Sequence, residues 1–579
     1  MAEKTESALT QPSTQTISYG ALKDELPQLL TALNESNLAQ RLFKRDALLW
    51  KSEPEHVKSI NNRLGWLILP DGVDAKVEEL NAFVKEVQAA GFKYTVLLGM
   101  GGSSLCSEVA RDTYERREGF LELFVLDDTD PDAIKHLEGQ IELDKTLFIA
   151  ASKSGNTAET LSFYKYFYTL LEANGNKEPG KNFIAITDSG TPLVKIGEDH
   201  KFRKVFINPS DIGGRYSVLS DFGTVPMALM GVDIRALLNS AAQVEKESNT
   251  DAPVAYNPAV CLGAALGIYQ KHGLDKVTFL LSPSIKSFGL WVEQLIAEST
   301  GKEGRGLIPI QGEQPGGPEV YGTDRVFVHM YLPTDTDTET PKKVAALEAA
   351  GHPVVRISLP DTTALGGEYY RWEVATAIAG AIIQVNPFDE PNVAEGKKNT
   401  NEILNDWIKD GFFKKAVPAL TESNVAIYTG DVVKEVVQGS KNISSLLNAF
   451  TSVEHENDYI AILPYLLLTE ERMATLQSVR IYLRNKFKVA TTLLNGPRYL
   501  HSTGQLHKGG PSSGIYIIIG GGKKEKLAIP GEPYDFATLH QAQVLGDFRS
   551  LNEKHRRIIY IDLGDDIDKG LDLIKQFSL

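Results

Sequence analysis

The sequence predicts an α/β protein: two doubly wound parallel-sheet domains, a helical arm ahead of them and a smaller α/β extension behind. Three observations predict it. Short, nearly continuous apolar runs alternate with helical stretches from about residue 60 to 235, the same layout recurs from 236 to 400, and the last 180 residues keep a regular apolar pattern. Strands that are apolar along their whole length and separated by helices form parallel sheets covered on both faces.

Residues 1–59 are read as the helical arm, because "KDELPQLLTALNESNLAQRLFKRDALLW" carries apolar positions at helical spacing. In 60–235, "YTVLLGM", "ELFVLDD", "TLFIAA", "NFIAITD" and "KVFINP" are the strands. "SSLCSEVARDTYERR" and "TAETLSFYKYFYTLLEANG" are helices between them. The second unit, 236–400, opens on a helix and has "KVTFLLS", "GLIPI", "RVFVHMYL" and "PVVRISL" as strands, with the long "GEYYRWEVATAIAGAIIQ" as its last helix. Tyr370 and Trp372 on that helix read as core or subunit-interface aromatics. In 401–579, "YIAILPYL", "KVATTLL", "SGIYIIIG" and "RRIIYIDLG" are strands of a segment too apolar and regular to be disordered.

The chain has 579 residues and a formal net charge of -15, which disfavours nucleic acid and anionic membranes as partners while allowing a small basic pocket for an anionic metabolite. Only Cys106 and Cys261 are present, so a reducing, cytoplasmic setting is expected. The N-terminus has no apolar signal-peptide stretch, and no run reaches the length of a membrane span. No HExxH and no Cys cluster occur, so neither metal nor cofactor is expected; His455 in "EHEND" reads as a solvated loop histidine.

Two strand-to-helix junctions offer an anion site. "SKSGNTAET" (152–160) follows the strand "TLFIAA", where ligands bind in open α/β sheets and the next helix presents free N–H groups. Ser152, Ser154 and Thr157 supply hydroxyls and Gly155 lets the backbone approach; the competing reading is a loop that only caps its own helix. "GMGGSS" (99–104) is a similar turn, with neither the dinucleotide nor the P-loop spacing. Two such turns in one sheet point to a phosphorylated small molecule.

"GMGGSS", "SKSGNTAET", "DIGGRYSVLSDFG", "LIAESTGK" and "VNPFDEPNVAEGK", in this order across residues 90 to 400, resemble the signature blocks of the phosphoglucose isomerases. That resemblance implies two sugar-isomerase-type (SIS) domains, interconversion of glucose 6-phosphate and fructose 6-phosphate in glycolysis and gluconeogenesis, and a homodimer. It also implies roles. Ser152, Ser154 and Thr157, with Lys153 beside them, match the phosphate grip, and Gly102 and Ser103 match the turn bordering the sugar. Arg215 matches the arginine beside the enediolate, Glu298 the carboxylate base, and Lys397 the lysine of the last block.

Two features depart from the family. Its "GQH" histidine block is missing between Glu298 and Lys397, where only His329 and His352 occur. "GPRYLHSTGQLHKGGPSSG", after the lysine, resembles the corresponding segment in the isomerase half of fused transaldolase–phosphoglucose isomerases, which makes His507 or His501 the ring-opening residue. The chain lacks the length and pattern for the transaldolase barrel. At position 390 the family commonly has glutamine, and this chain has Glu390. Asp211, in "SDIGGR", either orients Arg215 or caps a turn.

The residue types suit the chemistry. A histidine with a nearby lysine can move protons between the ring oxygen and the anomeric hydroxyl. One carboxylate can carry a proton between C1 and C2, helped by a raised pKa. A rigid guanidinium can stabilise the enediolate. Two alternatives remain open on the sequence: an enzyme that also isomerises mannose 6-phosphate, and a non-catalytic sugar-phosphate sensor, which would not need both Glu298 and Arg215.

Overall fold

The computed structural model describes residues 15–69, 71–414, 416–452, 457–522 and 524–577. His455 lies outside them. Among the described residues, sixteen strands form three sheets.

A first strand, β1 (Gln15–Ser18), leaves the arm to join a distant sheet. The first sheet is all parallel: β2 (Tyr94–Leu98), β3 (Glu122–Leu126), β4 (Thr146–Ala151), β5 (Phe183–Asp188) and β6 (Lys204–Asn208), ordered β3-β2-β4-β5-β6. The order runs outward in both directions from β2 and β4, as in doubly wound folds. β4 and β5 are buried along their whole length, which is why they read as continuous apolar runs.

The second sheet holds β7 (Lys276–Leu281), β8 (Ile308–Ile310), β9 (Arg325–Tyr331) and β10 (Val354–Ser358), ordered β1-β10-β9-β7-β8. Its own strands are parallel and β1 closes the edge antiparallel. The arm is therefore helical with one strand, a pairing no local pattern announces because its partner stands more than 300 residues away. The helix Leu365–Ile383 is buried on nearly all sides and packs in the centre of the molecule, with Trp372 and Tyr370 in the core; the Tyr370 hydroxyl donates to the Leu67 carbonyl (2.8 Å).

The third sheet is mixed: β11 (Leu420–Glu422), β12 (Val425–Thr429), β13 (Tyr459–Pro464), β14 (Ala490–Leu493), β15 (Gly514–Gly520) and β16 (Arg557–Asp562), ordered β11-β12-β16-β15-β13-β14. Strands β13 to β16 are parallel, and β12 runs antiparallel to both β16 and β11. The loop after β14, at its carboxyl edge, meets the first two units. Among the described residues no helix is long and apolar enough to cross a membrane.

Candidate active site

A cavity of about 490 Å³ opens where the carboxyl ends of β2, β4 and β5 meet the second unit and the loop after β14. Its wall includes Gly102, Ser103, Lys153, Ser154, Thr157, Arg215, Glu298, Lys397 and His501. Ser152 and His507, matched from sequence to the phosphate grip and to ring opening, are not on that wall.

The loop after β4 is held by its own hydroxyls. Ser152 is buried behind the loop; its N–H donates to the Ile186 carbonyl (3.0 Å) and its Oγ shares a hydrogen bond with Thr157 Oγ1 (2.8 Å). Ser154 Oγ donates to Asn156 Oδ1 (2.6 Å). Thr157 occupies the N-cap position of the helix Ala158–Ala173, yet its side chain does not cap it. The first N–H groups of that helix, which carry its positive end, are thus left for another acceptor. Lys153 Nζ pairs with Asp188 and donates to the Ser210 carbonyl (2.9 Å).

The glycine turn brings three segments together. A Cβ on Gly102 would lie 2.2 Å from the Gly214 carbonyl oxygen, and one on Gly101, which has φ +56°, 2.4 Å from that of His501. Only glycine permits both approaches. The turn therefore locks the Gly214–Tyr216 segment, with Arg215, and the Arg498–His501 turn against the end of β2.

Arg215 is 3% exposed and fully anchored. Its Nε donates to Ser299 Oγ (2.8 Å) and its Nη2 to the carbonyls of Pro387 (2.7 Å) and Asp389 (2.9 Å). Nη1 donates to Glu390 Oε2 (3.0 Å), and Glu298 Oε2 stands 3.6 Å away. Asp211 makes no hydrogen bond to Arg215 among the described residues; its side chain packs against Gly65, and its carbonyl accepts from the Gly65 N–H (2.9 Å).

Glu298 lies in the last turn of the helix Phe288–Thr300. Burial pushes its carboxyl up to about 6; Arg215 opposes this and Glu390 adds to it. Gln294, one turn earlier on the same face, donates from Nε2 to Glu298 Oε2 (3.1 Å) and to the His501 carbonyl (2.8 Å). Lys302, just past the helix, pairs with Asp389 (2.9 Å); burial, then Arg215, pulls it down to about 8.

His501 and His507 have different surroundings. His501 Nε2 meets Glu159 Oε1 (3.1 Å), which also accepts from Gln543 Nε2 (2.8 Å). Burial alone would raise Glu159, but the contacts with His501 outweigh it and hold the carboxyl at about 2. His507 is 1% exposed, wedged between the rings of Tyr499 and Tyr516 (centroids 5.6 and 5.1 Å), and its Nδ1 is buried without a partner among the described residues. Burial holds its imidazole neutral, with Lys508 and Arg556 acting in the same direction. Lys397, early in the helix Val393–Asp410, lines the cavity together with His501. His329 is buried on β9, its Nδ1 against the Leu280 carbonyl (3.0 Å).

Sequence reading passed over Gln294, Lys302 and the pairing of Glu159. Gln294 is four residues before Glu298, the spacing that stacks side chains on one helix face, and that signal was legible. Arg63 and Asn62, which reach the cavity from outside the first sheet, carry no local signal.

The sequence model of the phosphoglucose isomerase family matches residues 26–314, a span that holds the loop after β4, Arg215 and Glu298 and ends before Lys397 and His501. The chain is 29% identical over 402 residues to the glucose-6-phosphate isomerase of Streptococcus equi subsp. zooepidemicus, covering 60% of this chain and 88% of that protein. It is 27% identical over 404 residues to the glucose-6-phosphate isomerase of Parabacteroides distasonis, covering 62% and 89%. The crystal structure of a hypothetical protein from Thermus thermophilus superimposes with a TM-score of 0.57 at 26% identity, over 66% of this chain and 97% of that one. With the signature blocks assembled around one cavity, and the family matched from residue 26 to 314, this chain belongs to the phosphoglucose isomerase family.

Proposed function

We propose that the chain interconverts glucose 6-phosphate and fructose 6-phosphate at the cavity between Arg215 and Glu298, without a cofactor. The observation that carries this reading is a buried carboxylate with a raised pKa 3.6 Å from a fixed guanidinium, in one cavity with an uncapped helix N-terminus. The last binds a phosphate and the first two perform proton transfer.

In this reading the 6-phosphate sits on Ser154, Thr157 and the N–H groups of 158–160, with Lys153 adjacent and Ser152 bracing Thr157 from behind. Gly102 and Ser103 border the sugar. His501 opens the ring: with Nε2–H held by Glu159, Nδ1 is the nitrogen that exchanges a proton with the ring oxygen, and Lys397 assists from the same side. His507, sealed between two tyrosines, is assigned to packing. Glu298 then takes the proton from C2 and returns it to C1. The negative charge that develops on O1 and O2 of the cis-enediolate is met by Arg215, whose other donors are fixed and need no reorganisation.

We read the chain as two SIS-type domains (60–235 and 236–400) following the arm (1–59), with the C-terminal unit (401–579) carrying His501 to the site. One chain then supplies every group, so the expected homodimer serves stability rather than catalysis; sedimentation at enzyme-assay concentration tests this. The function is tested by conversion of fructose 6-phosphate to glucose 6-phosphate, coupled to oxidation of the product, for the wild type beside Glu298→Gln. Turnover by the wild type and its loss in the variant are expected. Tight phosphosugar binding with no wild-type turnover would leave the sensor instead.

A further inference from the structure

A second cavity, of about 570 Å³, lies where carboxyl ends of strands from all three sheets converge. Asp127 and Asp128 follow β3, Gln311 and Gly312 follow β8, and Asn495 follows β14 on its wall. Carboxyl ends of parallel strands are where α/β proteins place their ligands, and the volume is that of a metabolite site. It shares no lining residue with the isomerase cavity.

Its charges are not balanced. Arg111 is matched by Glu108 (2.9 Å) and Arg498 by Asp127 (2.8 Å). Arg480, on the helix Glu470–Phe487 and 1% exposed, has no carboxylate within 4.0 Å among the described residues. Its Nε and Nη2 donate to the carbonyl of Thr491 (3.2 and 2.6 Å), Nε also to Thr491 Oγ1 (3.3 Å) and Nη2 also to the Gln311 carbonyl (2.8 Å), which leaves Nη1 without a hydrogen bond among the described residues. Glu313, whose charge favours Arg480 from further off, is engaged by Arg325 (3.0 Å) and by Thr491 Oγ1 (2.7 Å). The nearby Glu293 does not serve as counter-ion: burial, only partly offset by Arg480, pushes it up to about 8, so it is protonated at neutral pH. A buried cation without a close partner is costly, and burial pulls Arg480 itself down to about 10. Two further wall atoms, Gln477 Oε1 and Asn495 Oδ1, are buried acceptors with no donor among the described residues. Asp128, the other carboxyl on that side, is pushed up to about 7 by burial and by Asp130, so it opposes an anion weakly.

We propose that this cavity is a second binding site, for a small hydroxylated anion whose phosphate or carboxylate pairs with Arg480 Nη1 and whose hydroxyls donate to Gln477 and Asn495. The turn Arg498–His501 joins the two cavities, with Arg498 on the wall of this one and His501 on that of the isomerase cavity. The helix Phe288–Thr300 does the same through Leu290 on one side and Gln294 and Glu298 on the other.

The test is calorimetric titration of the full chain with 3-phosphoglycerate, which carries both anionic groups and a hydroxyl. Arg480 also ties the ends of β8 and β14 together, so Arg480→Met endangers the fold. Gln477→Glu, on a half-buried helix position, is the decisive variant because it sets a carboxylate against the bound anion. Binding is expected to weaken roughly tenfold or more in Gln477→Glu. It should persist in Ser154→Ala/Thr157→Val, which removes the phosphate hydroxyls of the isomerase cavity. Absence of binding at millimolar probe overturns the proposal, as does binding lost in the Ser154/Thr157 pair and unchanged in Gln477→Glu. The proposed isomerase function is read separately, from the KM of the Ser154/Thr157 pair.

Discussion

Replacing Glu390 by glutamine should move the acid limb of the isomerase pH profile to lower pH. Glu298 Oε2 and Glu390 Oε2 stand 3.6 and 3.0 Å from the same Arg215 Nη1, so they are at most about 6.6 Å apart. Two unit charges at about 6.6 Å repel by about 0.6 kcal/mol in water and about 2.5 kcal/mol at an effective dielectric of about 20. The Glu390 side chain is 43% exposed, so the lower part of that range applies. About 1 kcal/mol corresponds to roughly 0.5–1 pH unit. The sign follows from the like charge: Glu390 adds to the burial that raises Glu298 to about 6, and removing it favours the carboxylate. Since the base works deprotonated, activity should extend further into acid. The assay is kcat/KM for fructose 6-phosphate across roughly pH 4.5–8, which reports the free enzyme's base, with Glu298→Gln as the inactive reference. An acid limb that stays in place or moves upward would refute the electrostatic coupling of the two carboxylates.

Arg215→Ala should lower kcat on the order of 10²–10³ with little change in KM, and Arg215→Lys should not restore it, because one ammonium cannot replace the fork that holds Ser299, Pro387, Asp389 and Glu390; steady-state kinetics decides. Thr157→Val should raise KM several-fold at nearly constant kcat, since its work is to hold the phosphate. His501→Asn should impair turnover of cyclic sugar while sparing proton exchange on open-chain substrate, and His507→Asn should instead lower the melting temperature; the opposite pattern would exchange the two assignments. Gly102→Ala should destabilise the fold by about 2 kcal/mol or more and displace Arg215, because its Cβ would meet the Gly214 carbonyl at 2.2 Å; thermal melts and kcat measure both.

Much of this protein was legible in the chain because the relevant physics is local. Apolar runs such as "TLFIAA" and "NFIAITD" are strands wherever they fall, since helices cover both faces of a parallel sheet. The hydroxyl-rich loop after β4, Arg215 and Glu298 sit in contiguous blocks whose spacing carries their geometry, and the phosphoglucose isomerase resemblance rested on those blocks. The proposal of His501 rather than His507 as the ring-opening residue rests on tertiary structure alone. They are six residues apart, one at the end of the Arg498–His501 turn and one in the short helix Gly504–Gly509, and the proposal depends on Glu159, itself held by Gln543, meeting the first while Tyr499 and Tyr516 enclose the second. The same holds for Glu390, whose contact with Arg215 spans 175 residues, and for β1, which leaves the arm to pair with β10. Secondary structure and motif identity arise from neighbours in sequence. The protonation of Glu298, the role of a histidine and the unmatched charge on Arg480 arise from which distant groups share a buried, low-dielectric space.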